Sequence, residues 1–137
     1  MVRELVHDPM LLGIKSRPAA KEDAAVARDL LDTLAAHRDT CVGMAANMIG
    51  RNVRIIAFND SGKYTVMYNP EIIMKSAPYE TEEGCLSLLG APRKTTRYQT
   101  IRVKYQDGGF QWKTKSFSGF TAQIIQHETD HCDGILI

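Results

Sequence analysis

The spacing of apolar residues predicts one helix in the first third of the chain. Between residues 21 and 37, charged residues occupy one side and apolar residues recur at helical spacing on the other. The apolar positions are Ala25, Leu30, Leu31 and Leu34. We therefore expect an amphipathic N-terminal helix that packs on the core and has a structural role.

After residue 53 the pattern changes to short runs of β-prone residues. The runs are residues 54–58, 64–68, 72–74 and 100–105, and a further run follows at 112–117. Turn signals rich in Asp and Gly stand at 60–62 and 107–109, where hairpin connections would lie. Hairpin connections between neighbouring runs favour a mostly antiparallel sheet.

Helical spacing returns at residues 122–132, and the Asp133-Gly134 pair ends this second helix because glycine adopts a left-handed conformation readily. The predicted fold class is therefore α+β, with an N-terminal helix, short antiparallel strands and one late helix. A chain of 137 residues has the size of one ordinary domain, so we expect a single domain over residues 1–137.

Composition and charge narrow the classes of protein to consider. With 44% hydrophobic and 24% charged residues, the chain resembles average globular proteins. A formal charge of +1 provides no long-range field to attract nucleic acid or an anionic membrane. The chain has no apolar stretch of membrane-spanning length and no apolar run typical of a signal peptide. We therefore expect a cytoplasmic protein without a direct nucleic-acid or membrane partner.

The predicted second helix contains His127, Glu128 and His131 in an H-E-x-x-H arrangement. Histidines four residues apart on a helix point the same way and can share one metal ion. Glu128 lies beside them, where its carboxylate can take a proton from water and later deliver it to a leaving amine. The arrangement indicates metal-assisted hydrolysis; the alternative is a pair of unrelated surface histidines.

Two histidines leave such a site incomplete, because catalytic metal sites typically have three protein ligands and an open position. The other histidines, His7 and His37, stand near the chain start and at the end of the first predicted helix, where surface positions are expected. Cys85 is the better third ligand, since a cysteine next to glycine in an extended segment can turn its thiolate toward a metal. The backbone N–H of Leu86 is then free to bind an oxyanion.

Three segments together resemble the signature motifs of peptide deformylases, in the order and approximate separation of that family. They are residues 43–46 (Gly-Met-Ala-Ala), 83–87 (Glu-Gly-Cys-Leu-Ser) and 126–131 (Gln-His-Glu-Thr-Asp-His). Asn69-Pro70 and Arg97 match as well, so the resemblance covers nearly the whole chain. It implies strands wrapped around the H-E-x-x-H helix, and removal of the formyl group from the N-terminal formylmethionine of nascent polypeptides.

The resemblance also implies the roles of the central residues. Cys85, His127 and His131 would bind one divalent metal, Glu128 would act as general base and acid, and Leu86 would offer its backbone N–H to the oxyanion. In this family the native metal is Fe²⁺, often exchanged for Zn²⁺, Ni²⁺ or Co²⁺ on handling. A thiolate ligand makes an iron site sensitive to oxidation, so we expect activity to fade in air.

The same resemblance implies roles for further residues around the metal site. Arg97 would pair with Glu83 and Asp130 and hold the motifs together. The residues implied to border the cleft for the peptide and its methionine side chain are Val42, Gly43 and Gly84.

Met48, also at this cleft, departs from the family pattern. The family's first motif ends in a glutamine that donates a side-chain hydrogen bond to the oxyanion, and methionine has no N–H or O–H to donate. Losing one such donor typically lowers the rate about a hundred- to a thousandfold. The neighbouring Asn47 would need a shifted backbone to reach the same point. The substitution therefore predicts a deformylase of reduced activity.

Two alternatives to a working deformylase stay open. One is a catalytically weak or inactive relative that keeps the metal site and binds peptide N-termini. The other is an H-E-x-x-H metalloprotease, against which the cysteine ligand and the three-motif pattern argue. The C-terminal extension that helps some bacterial deformylases to dock on the ribosome does not follow Ile137, so ribosome docking is not expected.

Overall fold

The computed structural model describes residues 1–85 and 91–136. Its helices are α1 (Pro9–Leu12), α2 (Ala24–Ala36) and α3 (Gly119–Cys132), with short 3₁₀ turns at Lys21–Asp23 and Ala46–Ile49. Its strands are β1 (Gly43–Ala45), β2 (Ile55–Asp60), β3 (Lys63–Glu83), β4 (Arg93–Gln106) and β5 (Trp112–Ser118). Both predicted helices and the α+β class are confirmed.

The five strands form one antiparallel sheet in which the order in space follows the order in the chain. The β2–β3 hairpin closes where Asp60 pairs with Lys63, and Gly62 in its turn has a positive φ of 96°. The β4–β5 hairpin closes where Gln106 pairs with Trp112. The two predicted turns are therefore the turns of the structure.

The third strand differs from the prediction. The runs 64–68 and 72–74 belong to a single strand, β3, because an irregularity at Asn69-Pro70 shifts the pairing register without ending the strand. Asn69 adopts a positive φ of 52°, and its side chain bonds both the N–H and the carbonyl of Ala19. A bulge of this kind re-aims a strand and lets it continue.

The core lies on both faces of β2. Ile55 and Ala57 belong to the apolar cluster that includes Leu30 and Leu34 of α2. Ile56 and Phe58, which point the other way, belong to the cluster that includes Ile125 of α3. β2 thus separates the two long helices, and α3 packs against the sheet with most of its residues buried.

This packing buries polar groups along with apolar ones. His127, Glu128 and His131 are all buried on α3. Ionisable side chains are rarely buried unless they are paired or bind a metal. The three buried residues therefore indicate a functional site on α3. Among the described residues, no helix combines the length and the apolar character that crossing a membrane requires.

Candidate metal centre and cleft

Three predicted ligands meet where β3 ends beside α3. His127 and His131 lie one turn apart on α3 with their ring centroids 4.5 Å from each other. Cys85 lies two residues after Glu83, the last residue of β3. The potential ligand atoms of Cys85, His127 and His131 all lie within 4.8 Å of one another. The structure therefore brings together the residues that the sequence proposed.

The chemistry of this donor set fits a divalent transition metal. Burial opposes ionisation of Cys85, but hydrogen bonds with His127 and His131 outweigh it and lower the pKa of the thiol to about 6. Burial likewise opposes protonation of His127, but Cys85 and Glu83 raise its pKa to about 9. Groups that stabilise a proton here would equally attract a cation. One thiolate and two imidazoles suit zinc and the neighbouring transition metals.

Glu83 orients one of these histidines. Its Oε1 lies 2.8 Å from Nδ1 of His127, which leaves Nε2 as the ring nitrogen available to a metal. Burial opposes ionisation of Glu83, but hydrogen bonds from His127, Arg97 and Gln123 lower the pKa of this carboxyl to about 2. Glu83 is therefore a buried carboxylate that fixes the ring of His127.

Arg97 connects the strands to α3, as predicted. Its Nη2 lies 2.6 Å from Oε1 of Glu83 and its Nη1 lies 2.6 Å from Oδ2 of Asp130. Arg97 is only 3% exposed, so its ion pair with Glu83 is buried, and its ion pair with Asp130 is partly buried. It joins β4, the end of β3 and the helix that carries both histidines.

Two contacts of Glu83 were not anticipated from the sequence. One is the hydrogen bond with His127, and the other comes from Gln123, whose Nε2 donates to Oε2 of Glu83 at 2.8 Å. A signal for the second was present, because Gln123 stands four residues before His127 and the two share a face of α3. The helical spacing could have identified Gln123 as a neighbour of the site.

Glu128 is buried beside the predicted ligands and pairs with one of them. Its Oε1 lies 3.1 Å from Nδ1 of His131, an ion pair when that imidazole is protonated. Glu128 also lines the cleft beside the predicted ligands. The position suits a group that exchanges protons with a bound molecule.

A close approach between β1 and α3 places the cleft next to Glu128. A Cβ atom at Gly43 would lie 2.5 Å from a methyl carbon of Ile124 and 3.1 Å from Oε2 of Glu128. Only glycine allows the strand to pass so near the helix. By contrast, a Cβ atom at Gly84 would meet no described residue within 4 Å.

The cleft beside the ligands has a volume of about 450 Å³. All four predicted cleft residues line it, together with several that the sequence did not indicate, including Phe120 and Gln123 of α3. The predicted lining residues are Val42, Gly43, Met48 and Gly84. Leu86, expected to offer its N–H here, lies outside the described residues.

Met48 lines this cleft but is only 1% exposed. Its sulfur accepts a hydrogen bond from the backbone N–H of Ala45 at 3.4 Å. The neighbouring Asn47 cannot replace the absent glutamine, because its amide donates to the carbonyls of Leu12 at 3.2 Å and His131 at 2.9 Å. Asn47 instead secures the end of α3.

A buried carboxylate next to a three-donor cation site, at the wall of an open cleft, is the arrangement of a mononuclear metal-dependent hydrolase. A family model described as polypeptide deformylase matches residues 5–137. A curated peptide deformylase from Clostridium beijerinckii is 53% identical over 137 residues, which cover all of both chains. The chain belongs to the peptide deformylase family.

Solved structures agree with this assignment. A peptide deformylase from Legionella pneumophila superposes with a TM-score of 0.88 at 31% identity, covering 99% of this chain and 83% of that one. A class I type b peptide deformylase from Acinetobacter baumannii with bound Met-Ala-Ser superposes with a TM-score of 0.87 at 27% identity. That match covers 99% of this chain and 97% of the other. The comparisons support the deformylase interpretation and give no positive support to the binding-protein or metalloprotease alternatives.

Proposed function

We propose that this chain, as a single domain over residues 1–137, removes the formyl group from N-formylmethionyl peptides and nascent chains in the cytoplasm. The observation that carries the proposal is the convergence of Cys85, His127 and His131 next to Glu128 at the wall of the cleft. Membership of the peptide deformylase family gives the reaction its class.

Cys85, His127 and His131 are the proposed ligands of one divalent metal, with Fe²⁺ as the native ion and Zn²⁺, Ni²⁺ or Co²⁺ as substitutes. When bound, such an ion supplies Lewis acidity, which polarises a carbonyl group and makes water easier to deprotonate. The hydrogen bond from Nδ1 of His127 to Glu83 fixes the ring, so that Nε2 faces the shared site. The lowered pKa of Cys85 keeps its sulfur in the thiolate form that binds metals.

Glu128 is the proposed proton carrier. Its carboxylate would accept a proton from the attacking water and transfer it to the nitrogen of the departing α-amine as the amide bond breaks. The burial of Glu128 beside the proposed ligands and its place in the lining of the cleft support this role, because they put the carboxylate next to the space that water and peptide would occupy. The products are formate and a peptide with a free N-terminal methionine.

The cleft is the proposed site for the peptide. Val42, Gly43, Gly84 and Met48 would border the substrate, and the large exposed ring of Phe120 offers an apolar surface for its methionine side chain. The bound Met-Ala-Ser in the Acinetobacter baumannii relative supports a peptide of this kind as the ligand. Leu86 would contribute its backbone N–H to the oxyanion, a role that rests on the motif alone.

A three-substrate assay separates this function from its alternatives. Protein loaded anaerobically with Fe²⁺ is incubated with formyl-Met-Ala-Ser, with acetyl-Met-Ala-Ser and with a longer peptide that has a free N-terminus. We expect formate from the first substrate and little or no hydrolysis of the others. Binding of the formylated peptide without formate release would indicate a binding protein, and cleavage of internal bonds would indicate a protease.

A further inference from the structure

The carboxylate of Glu83 is held by donors on both of its oxygens. Oε1 accepts from Nη2 of Arg97 at 2.6 Å and contacts Nδ1 of His127 at 2.8 Å. Oε2 accepts from Nε2 of Gln123 at 2.8 Å. Nε of Arg97 lies 3.0 Å from both oxygens and so does not distinguish between them.

Among the described donors, Gln123 therefore bonds Oε2 and not Oε1. If its amide were absent, the shared Nε of Arg97 would be the one donor that the described residues still provide to this oxygen. The carboxylate could then rotate about its last bond, and Oε1 would move away from Nδ1 of His127. Because Gln123 and His127 lie one turn apart on α3, the helix itself sets the distance between the amide and the ring.

A side-chain amide suits this position for electrostatic reasons. Glu83 is a buried carboxylate that already forms an ion pair with Arg97. A second carboxylate at position 123 would repel it, and an apolar side chain would leave Oε2 under-bonded in a buried place. The neutral amide adds a hydrogen bond without a further net charge beside the cleft, which Gln123 also lines.

We propose that Gln123 is a positioning residue for the metal site: by bonding Oε2 of Glu83 it keeps Oε1 on the ring of His127 and so holds that ligand in its binding orientation. The inference rests on the proposed role of His127 as a metal ligand. Groups that orient a ligand histidine typically change metal affinity about 10- to 100-fold when they are removed.

The test measures metal affinity without substrate. The dissociation constant for Co²⁺ is determined anaerobically, by competition with a chelator, for the wild-type protein and for Gln123→Met, which has similar length and no donor. Gln111→Met makes the same chemical change at an exposed glutamine in the β4–β5 turn and serves as the matched control. We expect binding about 10- to 100-fold weaker in Gln123→Met, with the control close to wild type.

A spectroscopic readout examines the orientation directly. In protein labelled with ¹⁵N-histidine and loaded with Zn²⁺, the Nδ1 proton of His127 should give a shifted, solvent-protected signal because it donates to Glu83. In Gln123→Met we expect this signal to move toward the position of a weaker hydrogen bond and to exchange faster with solvent. A residue that merely fills space would leave both properties unchanged.

Wild-type Co²⁺ affinity or an unchanged His127 signal in Gln123→Met would overturn the proposal. If that variant does not fold, Gln123→Ala provides the same comparison with a smaller side chain. Because no substrate is used, these results do not depend on deformylation. Absence of formate release would refute the proposed function and leave this inference standing, whereas an unchanged affinity would refute only the inference.

Discussion

The guanidinium of Arg97 lies 2.6 Å from a carboxylate oxygen of Asp130, so a buried residue of β4 is tied to the residue that precedes the proposed ligand His131. The same guanidinium contacts Glu83, which in turn orients His127. One side chain thus links both histidines of the site to the sheet. Its contribution should appear in stability as well as in metal binding.

Replacing Arg97 should destabilise the protein severely. Arg97→Met would leave Glu83 as a buried carboxylate without its ion-pair partner, and breaking a buried pair in this way typically costs about 3–5 kcal/mol. Urea unfolding followed by circular dichroism measures the loss. Arg102→Met, an exposed arginine on the same strand, is the control. Equal losses in the two variants would contradict the account of Arg97.

Gly43 should tolerate alanine less well than a glycine outside the cleft. Gly43→Ala places a methyl group 2.5 Å from Ile124 and 3.1 Å from Glu128, so β1 or α3 must shift. Gly108→Ala, in the β4–β5 turn, meets no described residue within 4 Å and serves as the control. Since small misplacements of reacting groups can cost about a hundredfold in rate, we expect at least a tenfold loss of kcat/KM in Gly43→Ala. Gly108→Ala should stay near wild type, and equal activity in the two variants would show that the close approach is unimportant.

Restoring the glutamine at position 48 should raise the activity. Met48 lines the cleft and donates no hydrogen bond, whereas an amide there would add one donor for the oxyanion. Such a donor is typically worth about a hundred- to a thousandfold in kcat. Met10→Gln, at a methionine that is 84% exposed, controls for the change in composition. No gain in Met48→Gln would mean that the cleft has changed in other ways.

Removing the thiolate should abolish metal binding without unfolding the chain. In Cys85→Ala the site retains two imidazoles, one fewer than the three protein ligands that catalytic sites typically have. Metal content after dialysis is the measurement, and the far-ultraviolet circular dichroism spectrum reports whether the fold is intact. Cys132→Ala removes a buried thiol outside the ligand set and provides the comparison. Full metal content in a folded Cys85→Ala variant would exclude Cys85 as a ligand.

The helices and hairpin turns could be predicted because their signals are local. Apolar spacing defined α2 and α3, and the Asp and Gly residues at 60–62 and 107–109 defined the two turns. The three residues of β1 carry too little periodicity to be recognised, and Asn69-Pro70 disguised the continuity of β3. In both cases the deciding contacts come from partner strands that are distant in the sequence.

In the candidate site, too, residues with a local sequence signal could be predicted and contacts between distant residues could not. His127, Glu128 and His131 follow from spacing on one helix, and Cys85 follows from the need for a third ligand. The bond between Glu83 and His127 joins residues 44 positions apart, so no local pattern reveals it. Asn47 illustrates the limit most clearly, because nothing in its local sequence indicates the groups that its amide contacts. The structure places that amide on the carbonyls of Leu12 and His131, which are distant in the sequence.

The most direct test of the central claim compares wild-type protein with Glu128→Gln, both loaded anaerobically with Fe²⁺ and matched for metal content. The measurement is formate released from formyl-Met-Ala-Ser. The account predicts release by the wild type and a loss of about a hundredfold or more in Glu128→Gln, because an amide cannot carry the proton. No release by fully loaded wild-type protein, or equal release by the two proteins, would contradict it.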